Sequence, residues 1–192
     1  MTSLARTERL RLVAAARAAG EDAPTLCEGW TTRDLATHLV IREREPVAAL
    51  GIALPAFSGR LEDTARDYAR MPYAELLGLV ASPPRWTPGA WPGVGSVLNT
   101  VEYLVHHEDI RRAEIEWFPR RLSQKDNETV WAQARMALLP YAAKSKGRIE
   151  IVSPGFGRRA AGRGETTTVT GEPVEILLWL MGRSDHALVD VR

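Results

Sequence analysis

The chain is expected to fold as a mainly α protein with a small α/β segment at its C-terminal end. Apolar residues recur at helical spacing through residues 1–147. After Gly147 the pattern changes to alternating and β-branched stretches around one short apolar helix. The composition supports a globular core: the 192 residues are 45% hydrophobic and 26% charged, enough for one good-sized domain or one domain with an appendage.

The first helix carries Leu4, Leu10, Val13 and Ala14 among arginines and is expected to stop at Gly20. A loop, APTLCEGW, follows. Thr31 or Thr32 then caps a second helix, with Asp34 near the positive end of its dipole, and Pro46 should break it. Residues 61–80 read as a helix in two pieces, interrupted at Met71-Pro72. SPPRWTPGAWPGVG, with four prolines and three glycines, reads as a loop. A helix from Gly95 or Ser96 to about Ala113 comes next. Ser123 opens another, with Val130, Ala134, Ala137 and Leu138 as its core face. Residues 148–152 alternate as a strand does. GFGRRAAGRGE reads as a basic turn, and ETTTVT as a second strand. Pro173 falls in the first turn of a short helix ended by Gly182, and ALVDV is a closing strand. The expected division is therefore a helical bundle over 1–147 and a short α/β segment over 148–192.

The formal net charge of +1 argues against a general attraction to nucleic acid or anionic membranes. A single cysteine excludes an internal disulfide. No apolar run reaches the roughly 18–20 residues that span a bilayer. The arginine-rich first segment lacks a signal-peptide core, so a cytoplasmic location is expected.

The residues that carry chemistry are His38, in TTRDLATHLV, and Glu102 with His106, in NTVEYLVHHEDIRRA. Residues at i and i+4 stack on one helix face, so Glu102 and His106 can address one point. They fall beside an apolar stripe of Val94, Leu98, Val101 and Val105, at the edge of a bundle interior. His38 stands in the same relation to Leu35 and Leu39. Two histidines and a carboxylate make a three-ligand set of the kind that leaves a metal coordination position open. The same pattern also fits satisfied polar core residues. His107 points about 100° away from His106 and is the poorer ligand. Asp109, one turn on, suits an orienting partner for His106 or a solvated helix-end carboxylate.

LCEGWTTRDLATHL resembles the signature of the mycothiol-dependent maleylpyruvate isomerase family, VEYLVHHEDIRRA resembles its second signature, and TGEPVEILLWLMGR resembles its C-terminal segment. The resemblance implies a DinB-like four-helix bundle with a small C-terminal α/β domain. It implies His38, Glu102 and His106 as metal ligands, zinc as the metal and mycothiol as a thiol cofactor. The donor set by itself also admits iron(II) or nickel. The segment 148–192 looks short for the family.

Other side chains have two readings each. Cys27 suits a small buried hydrophobe or a fourth ligand. Trp30 packs the start of the second helix or walls a ligand pocket. Arg42 binds a carboxylate of the thiol cofactor or substrate, or pairs on the surface with Glu43 or Glu45. Arg111 and Arg112 suit the negative end of their helix dipole. Arg158, Arg159 and Arg163 read as a solvated turn without the aromatics that nucleic-acid binding uses. The expected function is a metal-dependent transferase or isomerase using a low-molecular-weight thiol. Its partners would be that thiol and an electrophilic substrate, with a homodimer left open. The alternatives are a non-catalytic metal- or small-molecule-binding bundle and a metal-assisted hydrolase.

Overall fold

The computed structural model describes residues 3–84 and 94–192, with the backbone alone for 94–98. Most of the loop expected in SPPRWTPGAWPGVG, and the Val94 and Leu98 side chains, lie outside the described residues. The chain is mainly helical, with a β-containing C-terminal part, and divides into two compact units, residues 1–118 and 119–192.

The first unit contains α1 (Leu4–Ala19), α2 (Thr32–Arg44), α3 (Pro46–Ala49), α4 (Ser58–Ala69), α5 (Tyr73–Ala81) and α6 (Val94–Arg111). Ser3 caps α1, which buries Leu4, Glu8, Leu12 and Ala16 at helical spacing. Leu10 and Ala14 face outward instead. Thr31 caps α2 in a reciprocal box with Asp34, whose carboxylate accepts from the Thr31 amide at 2.9 Å. Pro46 ends α2 and begins α3. The break between α4 and α5 falls at Met71-Pro72, as the sequence predicts. The core joins Leu12, Leu35, Leu39, Leu76, Val80, Tyr103 and Ile110.

Helix α6 begins at Val94, inside the glycine-proline stretch, and is buried on more faces than one stripe implies. Thr100, Tyr103, Leu104, Val105, His107, Glu108, Asp109 and Ile110 are all buried, while Val101 is only half-buried. The polar members of this set are paired. His107 Nδ1 lies 2.9 Å from Glu8 Oε2 of α1, and Arg112 Nε donates to Glu108 Oε2 at 2.7 Å. The Arg112 guanidinium also stacks 4.3 Å over the Trp117 ring. Arg112 is thus 2% exposed, and its role is a buried ion pair rather than a solvated complement to the helix dipole.

The second unit contains α7 (Gln124–Lys144), β1 (Arg148–Ser153), β2 (Gly157–Ala161), β3 (Thr166–Thr170), α8 (Pro173–Leu180) and the two-residue β4 (Asp190–Val191). The sheet order is β2-β1-β3-β4, with β1 antiparallel to β2 and parallel to β3. The expected boundary after residue 147 differs from the compact units. Helix α7 packs on α8, β1 and β2, so it belongs with the sheet. Val130, Ala134 and Leu138 face that core, as expected, with Trp131 and Ala142; Ala137 is half-buried. GRRAA forms β2 instead of a turn, because its backbone pairs with β1 while its arginines stay exposed. Among the described residues, no helix is long and apolar enough to cross a membrane.

Candidate metal centre

His38 projects from the middle of α2, and Glu102 and His106 from successive turns of α6. The structure brings all three together. His38 Nε2 lies 3.0 Å from Glu102 Oε1, and His106 Nε2 lies 3.3 Å from the same oxygen. The two imidazole rings meet edge to face at 5.4 Å. Bond lengths of roughly 2.0–2.1 Å around a tetrahedral ion would set donor atoms about 3.3 Å apart, close to this spacing. The three donors could therefore hold a divalent cation with little rearrangement.

His106 and Glu102 are held from behind, by Asp109 and Arg42. His106 Nδ1 lies 2.8 Å from Asp109 Oδ2, and Asp109 is fully buried, not a solvated helix-end carboxylate. Cys27 Sγ donates to the same Asp109 oxygen at 3.3 Å and lies 3.9 Å from His106 Nδ1. Its loop is tied to α6, because the Leu26 amide donates to the Asp109 carbonyl at 3.0 Å. The loop closes through a Cys27–Trp30 turn, in which the Trp30 amide donates to the Cys27 carbonyl and Gly29 takes φ +74°. Cys27 is half-buried and has polar partners, so it is not simply a small hydrophobe.

Cys27, His106 and Asp109 form a second group of donors close enough for a metal. The two groups share His106 through opposite ring nitrogens. The 2.8 Å between Nδ1 and Asp109 is a hydrogen-bond length, which suits a carboxylate orienting an imidazole. The 3.0 Å separation on the Nε2 side is a hydrogen-bond length too, and with the 3.3 Å one it also fits ligands of one ion.

Arg42 lies one turn after His38. Its Nε is 3.4 Å from Glu102 Oε2, and its Nη1 donates to Asn99 Oδ1 at 3.0 Å. It pairs with neither surface glutamate proposed for it. Glu43 is buried against Arg9 and Tyr103, and Glu45 accepts from the Tyr68 hydroxyl at 2.9 Å. Arg42 therefore holds one oxygen of Glu102 and leaves the other facing the histidines. Sequence reasoning missed Asn99, whose contact depends on how α2 approaches α6.

The charges of the cluster are strongly coupled. Burial pushes the Glu102 carboxyl up, but hydrogen bonds from His106 and His38 and the charges of Arg42 and His106 outweigh it. Glu102 is held well below the usual carboxylate range. Burial alone would lower His106, but hydrogen bonds to Asp109, Cys27 and Glu102, with the Glu102 charge, push it up to about 11. Without a metal, the carboxylates of Glu102 and Asp109 on either side favour the protonated imidazolium form of His106.

Residues 3–82 match the family described as Mycothiol maleylpyruvate isomerase N-terminal domain. That match includes His38 and stops short of α6. No curated protein matches the chain. Two solved structures of the mycothiol-dependent maleylpyruvate isomerase align with all of this chain and 95% of theirs. Both are 15% identical to it, with TM-scores of 0.65 for a histidine-to-alanine variant and 0.63 for the other structure. At this identity the likeness concerns architecture: the chain has the fold of these isomerase structures across its whole length.

Proposed function

We propose that the protein is a metal-dependent enzyme that uses a low-molecular-weight thiol, in the isomerase or transferase class, with zinc as the metal and mycothiol as the thiol. The observation that carries this reading is the convergence of two imidazole Nε2 atoms on one Glu102 oxygen. The fold shared with the mycothiol-dependent isomerase structures supports it. On this reading the first unit is a DinB-like bundle of α1, α2, α5 and α6. The setting would be cytoplasmic, with a small electrophile as substrate.

His38, Glu102 and His106 would hold the ion. When bound, it would act as a Lewis acid that lets a coordinated thiol exist as thiolate near neutral pH. Asp109 accepts from His106 Nδ1 and so presents Nε2 as the ligand atom. Arg42 fixes Glu102 through Oε2, so that Oε1 stays on the histidine side. Three protein donors leave room for one exogenous donor.

Elemental analysis of the purified protein should find about one zinc-type ion per chain, and His106→Ala should lose most of it. The cobalt-substituted protein titrated with a small thiol should develop a sulfur-to-metal charge-transfer band. Full occupancy in His106→Ala would remove the ligand assignment. Absence of the band at millimolar thiol would leave a hydrolytic or non-catalytic metal site.

A further inference from the structure

A cavity of about 490 Å³ opens between α2 and α4, with His38 in its wall. That size is typical of small-molecule sites. Ile41, Leu61 and Ala65 supply an apolar lining, and Trp30 closes one side. The Trp30 ring lies tilted against the His38 imidazole, 5.3 Å between centroids, and is 37% exposed. The cavity therefore adjoins the ligand cluster through His38, and neither Glu102 nor His106 lines it.

Thr37 also lines this cavity. Its side chain is 95% buried, being 5% exposed, and its Oγ1 has no hydrogen-bond partner. A buried hydroxyl without a partner is unfavourable; its oxygen is closed to solvent as the wall stands, so a ligand oxygen in the cavity would relieve it after a small shift of the Thr37 side chain. The charges around the cavity argue against an anionic ligand. Asp34 and Glu62 line it with one permanent cation, Arg66, which pairs with Asp63. Asp34 is itself engaged in the cap of α2.

We propose that this cavity binds the electrophilic substrate, and that the substrate is an uncharged, largely apolar carbonyl compound with one oxygen for Thr37. A dicarboxylate would meet unfavourable charge. The assignment of the bound molecule as substrate rests on the thiol-dependent reading above; the binding chemistry rests on the cavity alone.

Ligand-observed NMR on the metal-loaded full chain tests this with three probes of one ring size: acetophenone, ethylbenzene and phthalate. Acetophenone should bind saturably, and phthalate should not compete. Ala65→Trp or Leu61→Trp should weaken acetophenone at least tenfold by filling the space; two variants guard against one failing to fold. Thr37→Val should weaken acetophenone roughly two- to tenfold and leave ethylbenzene unchanged. Unaltered acetophenone affinity in a folded Trp variant, or tighter binding of phthalate than acetophenone, overturns the proposal. Equal effects of Thr37→Val on both neutral probes overturn the role of its hydroxyl. The cobalt–thiol band, read on the same samples, separates the two readings. Loss of probe binding with the band intact defeats the cavity assignment alone. Probe binding without the band leaves the cavity and removes the thiol chemistry.

Discussion

His106 uses both ring nitrogens, and its two sides have different jobs. Nε2 faces Glu102 and His38, while Nδ1 is fixed by the fully buried Asp109. Replacing Asp109 with Asn keeps the shape and removes the negative charge that favours this tautomer. Asp109→Asn should therefore weaken metal affinity by roughly 10–100-fold without abolishing binding, as measured by chelator competition. Unchanged affinity would mean that Asp109 does not orient the ligand. Glu102 and His106 were legible as a pair because helical spacing puts them on one face, and the family resemblance tied His38 to them. The side chains behind them were less so. Arg42 reads as a substrate-binding group because nothing in its local sequence reveals that its closest carboxylate is Glu102, sixty residues further along. Thr37 reads as an ordinary helical threonine until its unpartnered hydroxyl is seen buried in the wall of a cavity.

The helices of the first unit are held together by buried charge as well as by leucines. Arg9 of α1 makes a two-pronged pair with Glu43 of α2, at 2.7 and 2.5 Å, and donates to the Val80 carbonyl of α5 at 2.7 Å. The Tyr103 hydroxyl of α6 also donates to Glu43, and the Arg9 guanidinium lies 4.2 Å over the Tyr103 ring. Four helices thus meet at one ion pair. Arg9→Met would keep much of the volume and strand the Glu43 carboxylate. The expected loss is about 3–5 kcal/mol of unfolding free energy by urea titration, because an unpaired buried charge costs more than the pair contributes. A loss under about 1 kcal/mol would show that water or rearrangement reaches Glu43. This network was not legible, since Arg9 sits among exposed arginines in a segment that reads as surface. The element boundaries were clearer where a local signal sets them: the Thr31 cap, Pro46 and Met71-Pro72. Strand β2 escaped notice because its sequence, GRRAA, has little strand character. It is a strand because β1 offers it a pairing edge.

At the scale of the whole molecule, the sequence shows a helical part and an α/β part but not the line between them. Helix α7 has the amphipathic pattern of a bundle member, and its apolar face serves the sheet and α8 instead. Periodicity tells which face is buried, not against what. The charge state of the metal-free centre then makes a prediction for the folded chain as a whole. A carboxyl held low, as Glu102 is, stabilises the fold above its ordinary value near 4.5 and loses that contribution as pH falls through its folded value. An imidazole held high, as His106 is, contributes fully below its ordinary value near 6.5. It loses that contribution as pH rises towards about 11. The metal-free protein should therefore lose stability on the alkaline side of 6.5. A metal ion takes the place of the proton on His106 Nε2, so binding releases that proton and tightens as pH rises, by roughly tenfold per unit while His106 remains protonated in the free protein. The rise in Tm on adding a fixed excess of zinc should consequently be larger at pH 8 than at pH 6. His106→Ala should show little zinc-induced rise at either pH. An equal zinc-induced rise at both pH values in the unaltered protein would show that His106 is already neutral without metal, contrary to the clamp formed by Glu102 and Asp109.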